Sequence, residues 1–109
     1  KFAASPSHAL LMRAIRIALL RDRRVHVTRN NTGMAEVHGQ LIRFGLGKGG
    51  ADLVGMQRGS GRAVAFEVKT ATGRVSDEQK KWGAKFSALG GFYRVVRSVE
   101  EAIACLEQL

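Results

Sequence analysis

Two short stretches hold the residues best suited to chemistry: Gly50-Ala51-Asp52-Leu53-Val54-Gly55 and Ala65-Phe66-Glu67-Val68-Lys69. Asp52 and Glu67 are hard oxygen donors of the kind that hold Mg2+ or Mn2+. Lys69 stands one pleat from Glu67. Two carboxylates beside a lysine suit metal-assisted phosphodiester hydrolysis. The cation polarises a phosphate oxygen and lowers the pKa of a water, while the ammonium neutralises charge growing on phosphorus. Without a cation the two acids would repel DNA, so a metal is called for on two counts. The same D…ExK spacing also fits a solvated hairpin in which Glu67 simply pairs with Lys69.

These residues need two strands to position them. Ala51–Met56 and Arg62–Lys69 read as strands joined by the glycine-rich turn Gln57-Arg58-Gly59-Ser60-Gly61. Strand side chains alternate between faces, which places Ala63, Ala65, Glu67 and Lys69 on one side and Val64, Phe66 and Val68 on the other. The apolar set must face the core. The charged set is then expected on an outer surface beside alanines, where Asp52 of the adjacent strand reaches the same face. Ions in a strand middle are unfavourable unless something pairs with them.

Around this hairpin the chain reads as alternating helices and strands. Ser5 and Pro6 suit an N-cap and first helical position, and Leu11, Ile15, Ala18 and Leu19 form the apolar stripe of a first helix ending near Asp22. Val25–Thr28 is a short β-branched strand. Residues 31–50 are the least legible: Leu41–Phe44 suits a short strand, and Gly45, Gly47, Gly49 and Gly50 around Lys48 predict a close-approach loop. That loop lacks the Walker pattern of a nucleotide-binding P-loop. Ser76-Asp77-Glu78-Gln79 is a capping box opening a helix, with Trp82, Phe86 and Leu89 as its buried face and Gly90-Gly91 as its stop. Phe92–Val96 predicts another strand, and Ser98 caps a terminal helix. The order α-β-(β)-β-β-α-β-α predicts a mixed α/β fold, a central sheet with helices on both sides. One domain over residues 1–109 is expected at this length.

Charge is the abnormal part of the composition. Eighteen Lys and Arg against nine Asp and Glu give +9 and a pI near 10.9. Glu100, Glu101 and Glu107 sit in the last eleven residues without a base, so residues 1–98 carry +12. A polyanionic partner is the natural inference. No segment resembles a recognition helix, so the surplus, with Lys48, Arg74 and Lys80 in it, is expected to hold backbone phosphates rather than read bases. The aromatics fit core positions and do not suggest a stacking platform. A hydrophobic fraction of 45% excludes a disordered tail, and no apolar run approaches the ~20 residues of a membrane span. The lone Cys105 falls on the apolar stripe Val99, Ala102, Ile103 and Leu106 and reads as a small buried hydrophobe. A single thiol without a disulfide framework fits a reducing, cytoplasmic compartment. His8, His26 and His38 have no partners at zinc-ligand spacing. A first residue of Lys rather than Met reads as a trimmed or excised piece of a longer chain.

In order and spacing, the chain resembles the PD-(D/E)xK nuclease superfamily and more closely its VRR-NUC family. The likeness runs from Arg29-Asn30-Asn31-Thr32-Gly33 through the Asp52 and Glu67 stretches to Thr70-Ala71-Thr72-Gly73-Arg74-Val75-Ser76-Asp77-Glu78-Gln79, and ends at Gly90-Gly91. Glu67 to Gln79 is its most specific part. The resemblance implies a restriction-endonuclease-like mixed sheet flanked by helices, with an α-β-β-β-α-β core. It implies a metal held by Asp52, Glu67 and the backbone carbonyl of Val68, with Lys69 as catalytic lysine and Gln79 near the centre. Arg29 and Asn31 would lie on the substrate side, Arg29 on a phosphate. One departure stands out: where related nucleases carry a glutamate in the first helix, this chain reads His8-Ala9-Leu10-Leu11-Met12-Arg13. His8 as a weak substitute, a site with two carboxylates, or Glu36 from the following loop are the alternatives. Stand-alone bacterial and phage relatives imply a homodimer cutting four-way DNA junctions, with flap or nicked-duplex cleavage next. A basic nucleic-acid-binding module without catalysis, or an accessory domain of a larger protein, are the rivals.

Overall fold

In the computed structural model, which describes residues 7–31 and 33–109, helix α1 (His8–Arg21) opens on Ser7. The Ser7 hydroxyl accepts from the Leu10 amide, satisfying one of the donors that a helix start leaves open. Ser7 therefore takes the capping role expected of Ser5, which with Pro6 lies outside the described residues. The helix stops at Asp22, as expected. Its buried stripe is Met12, Ile15 and Leu19, so Met12 rather than Ala18 completes the inward face.

Strands β1 (Val25–Arg29), β4 (Leu53–Gln57), β5 (Ala63–Val68) and β6 (Phe92–Val96) form one sheet in the order β1-β4-β5-β6. The first three are antiparallel neighbours, while β6 runs parallel to β5. That parallel pairing requires a crossover, which α2 (Asp77–Ala88) supplies. One face of the sheet carries Val25, Val27, Leu53, Val64, Phe66, Val68, Phe92 and Val96. It packs under α1 and α3 (Val99–Ala104), which continues into a 3-10 turn over Cys105–Gln108. Phe66 and Phe92 meet edge to face at 6.2 Å between ring centres. Burial of each such ring stabilises the fold by roughly 1.5–3 kcal/mol. Cys105 packs at the rim of this core and donates its thiol to the Ala102 carbonyl, and burial pushes its pKa up.

The other face is covered by α2, and this corrects the sequence reading of β5. From Val64 to Val68 the strand is buried on both sides. Its charged face is roofed by a helix and is no solvated surface. The close approach rests on Gly83, where an added Cβ would lie 2.4 Å from the Tyr93 ring. Trp82 stacks on Phe86 at 5.0 Å and leans on Tyr93. Leu89 was the third expected core residue; it follows the last helical turn and is 80% exposed. Gly83 replaces it as the buried residue of the helix.

A second sheet of two strands, β2 (Gly33–Val37) and β3 (Gln40–Phe44), fills the poorly legible region. Strand β3 matches the expected short strand, whereas β2 is new. Its residues do not alternate, and its turn, His38-Gly39, lacks the usual Asn or Asp although both residues have positive φ, 50° and 78°. That is the primed-turn geometry hairpins favour.

Two of the terminal acids, Glu101 and Glu107, are used internally. Arg24 bonds both Asp22 oxygens and reaches Glu107 at 3.0 Å, joining the end of α1 to the C-terminal turn. The Arg24 guanidinium holds the Asp22 carboxyl below the ordinary range. Glu101 accepts from the Arg97 amide.

Gly83→Ala is expected to destabilise the protein by about 1–3 kcal/mol, because overpacking against Tyr93 outweighs the helix propensity gained. Leu89→Ala is expected within about 0.5 kcal/mol of wild type. Urea denaturation of both variants checks the contrast; equal stabilities would show that Gly83 does not set the height of α2.

Candidate active site

Leu53 pairs with Phe66 across the hairpin, so Asp52, one residue before β4, comes opposite Glu67. The Asp52 carboxylate accepts from the Val68 amide at 2.9 Å. Its backbone is held by Asn30, whose amide donates to the Asp52 carbonyl at 2.8 Å and whose side chain donates to the Ala51 carbonyl. The Asn30 side-chain oxygen also accepts from the Leu46 amide, so one residue clamps the glycine-rich loop and the aspartate together. Asn31, the residue expected on the substrate side, is exposed after β1, and the clamp is made by Asn30 instead. Its signal was faint: an Asn at the end of a strand reads as a breaker before it reads as a clamp.

Glu67 is only 2% exposed. Its Oε2 accepts from Gln79 Nε2 at 3.0 Å and lies 3.6 Å from Lys69 Nζ. Gln79 meets this pair because the capping box fixes it: its Oε1 accepts from the Ser76 amide while the Ser76 hydroxyl accepts from the Gln79 amide. The cap and the contact with the centre are made by opposite ends of one amide. The other carboxylate oxygen, Glu67 Oε1, is buried with no hydrogen-bond partner. Burial pushes the Glu67 carboxyl up to about 8, the Asp52 charge adds to this, and Lys69 opposes it. The Tyr93 hydroxyl, also buried without a partner, is pushed up to about 12 by burial and by the charges of Glu67 and Asp52.

His8 completes the cluster from the first turn of α1. Its Nε2 lies 2.9 Å from the Val68 carbonyl oxygen and 3.7 Å from Asp52 Oδ2. Of the alternatives for the missing helix 1 acid, His8 is the residue that the structure brings to the centre. Glu36 is exposed on the separate β2–β3 sheet.

The remaining sequence candidates are arranged around the cluster and not within it. Arg29 joins Arg13 and Arg16 of α1 in a cleft of about 270 Å³. Lys48 is exposed, 4.0 Å from Glu78 at the start of α2. The loop carrying it presses on that turn: a Cβ at Gly49 would lie 2.4 Å from the Glu78 carbonyl oxygen, and its φ of 84° suits glycine. Arg74 and Lys80 are exposed at the entrance to α2. Between Lys69 and Arg74 the chain is pinned by Arg97, whose guanidinium donates to the Thr70 and Gly73 carbonyls.

Among the described residues no three His, Cys, Asp or Glu side chains converge as a ready-made metal cage. The donor chemistry nevertheless fits a hard divalent cation. Asp52, Glu67 and the Val68 carbonyl are oxygen donors, and Glu67 Oε1 is a buried acceptor with nothing to accept from.

A mixed sheet flanked by helices is consistent with a restriction-endonuclease-like fold, and Asp52, Glu67 and Lys69 gather at β4 and β5. The VRR-NUC domain model matches residues 13–100. The chain belongs to the VRR-NUC family, a family of nucleases that are usually dependent on divalent metal. Comparison with curated proteins gives no match. No helix among the described residues is long and apolar enough to cross a membrane.

The raised Glu67 carboxyl sets a pH dependence of known sign. Between its ordinary value of 4.5 and about 8, the folded protein holds a proton that the unfolded chain has lost. Stability from this group is therefore full below pH 4.5 and falls as pH rises toward 8. The metal-free protein is expected to melt higher at pH 5 than at pH 8, and Glu67→Gln to shrink that difference. Calorimetry at the two pH values checks it; an unchanged difference in the variant would rule out Glu67 as its source.

Proposed function

We propose that this protein is a divalent-metal-dependent endodeoxyribonuclease that hydrolyses phosphodiester bonds in branched DNA, acting as a homodimer with four-way junctions as the favoured substrate. The observation that carries the reading is Glu67: a buried carboxylate beside Asp52 and Lys69, with one oxygen held by Gln79 and the other unsatisfied. Asp52, Glu67 and the Val68 carbonyl would hold Mg2+ or Mn2+. When bound, the ion supplies Lewis-acid polarisation of the phosphate and cancels the charge of the two carboxylates.

The chain's own residues do the rest. Lys69, largely buried beside Glu67, offsets negative charge that grows on the phosphate during attack. Gln79 holds Glu67 Oε2 and leaves Oε1 without a partner. Arg29 with Arg13 and Arg16, together with Asn31, Lys48, Arg74 and Lys80, would hold backbone phosphates, giving affinity without base reading. A twofold dimer would offer two such centres to a symmetric junction.

A second reading, a basic DNA-binding module without catalysis, is favoured by one observation: the first turn of α1 contains no acid. Metal separates the two. Cleavage of labelled four-way, flap and nicked duplexes is expected in Mg2+ or Mn2+ and abolished by EDTA. Asp52→Asn and Lys69→Ala are expected to lower the rate at least ~100-fold while retaining salt-sensitive DNA binding. Binding without cutting on every substrate would establish the module instead, and sedimentation of the active species tests the dimer.

A further inference from the structure

We infer that a second basic cleft, at the far end of α1 from the Asp52–Glu67 centre, grips an arm of the DNA about six base pairs from the branch. The inference rests on the nuclease reading above and adds to it the course of the bound arm. The cleft, of about 460 Å³, is lined by Leu20, Arg21, Asp22, Arg23 and Arg58. Contacts distant in sequence assemble it. Val25 pairs with Gln57, and the Arg58 amide donates to the Arg24 carbonyl at 2.9 Å, which sets the β4–β5 turn beside the end of α1. Asp22 is committed elsewhere, because Arg24 bonds both of its carboxylate oxygens. Among the described residues, Arg21, Arg23 and Arg58 form no ion pair, and all three are exposed. Three guanidiniums around one hollow repel each other. A polyanion seated there removes that repulsion, and phosphate is the group that their planar donors match. Leu20, 39% exposed, gives the hollow an apolar floor for a sugar.

Helix geometry gives the position. Ala9, Arg13, Arg16 and Leu20 recur at i, i+4, i+7 and i+11, which is one stripe of α1. The first three line the cleft that holds Arg29, and Leu20 lines the second. The two clefts therefore follow one another along one side of the helix. At its start His8 stands 3.7 Å from Asp52, and at its end stands Arg21. That helix of 14 residues spans roughly 20 Å at ~1.5 Å per residue. One DNA strand presents a phosphate every ~3.4 Å along its axis, so the far cleft meets the arm about six base pairs from the centre. The Arg29 cleft takes the phosphates between. Such contacts fix the course of the arm and read no base.

Neutralising single phosphates tests this without turnover. A long-armed four-way junction carries one methylphosphonate at each position in turn, and binding in EDTA is read by fluorescence anisotropy. Wild type is expected to lose affinity about threefold or more for neutral linkages about five to seven base pairs from the branch. The triple variant Arg21→Gln, Arg23→Gln, Arg58→Gln is expected to be indifferent to those linkages. Its salt slope on the unmodified junction is expected to fall by about two to three. Neutral linkages next to the branch are expected to weaken both proteins alike. The wild-type scan decides the position even if the variant does not fold. Sensitivity confined to the first pairs beside the branch, or a far patch that persists in the variant, would overturn the assignment of this cleft. A far patch lost in the variant, with no cleavage of any branched substrate in Mg2+ or Mn2+, would overturn the nuclease reading alone.

Discussion

A carboxylate taken out of water governs the surroundings of this sheet. Burial and the Asp52 charge both favour the protonated form of Glu67, and Lys69 alone opposes them. Such a group is tolerated where neighbours compensate it, and here compensation is half complete. One oxygen is shared between an amide and an ammonium, while the other has no partner. The architecture around it serves that imbalance. Gly83 lets α2 settle on Tyr93, the Ser76 cap holds Gln79 at the first turn, and Asn30 fixes the backbone from which Asp52 projects.

Much of this was legible in the residues. The β4–β5 hairpin, the Ser76 capping box, the Ser98 cap and the strand before the last helix follow from alternation and from Ser at helix starts, which are local signals; the second capping box expected at Ser98 is incomplete, because Glu101 accepts from the Arg97 amide instead. The Asp52, Glu67, Lys69 and Gln79 grouping was legible because period-two alternation and a capping-box spacing fix which side chains face each other. What escaped depends on contacts distant in sequence. Alternation assigned Glu67 to a face but could not show that α2 covers that face. Leu89 looked like a core residue by helical spacing, yet the helix ends one residue before it. Strand β2 lacks both alternation and the usual turn residues. Asn30 acts through a partner 21 residues away, and nothing local marks it.

Charge follows the same division of labour. Glu107 of the C-terminal turn is engaged with Arg24 and Glu101 of the last helix with the Arg97 amide. The basic residues expected to meet DNA lie elsewhere, at the α1–β1 cleft, on the glycine-rich loop and at the mouth of α2. Arg24 is paired with its acids where the fold closes, while Arg29, Lys48, Arg74 and Lys80 are exposed.

Gln79 and Lys69, whose side chains meet Glu67, come from the helix after the β4–β5 hairpin and from the residue that ends β5, whereas His8 reaches Asp52 from α1. During synthesis His8 leaves the ribosome first, yet its acceptors on Val68 and Asp52 follow tens of residues later. Helix α1 packs chiefly on β1 and α3, so the seating of that layer over the sheet decides whether the imidazole stands beside Asp52 and Val68.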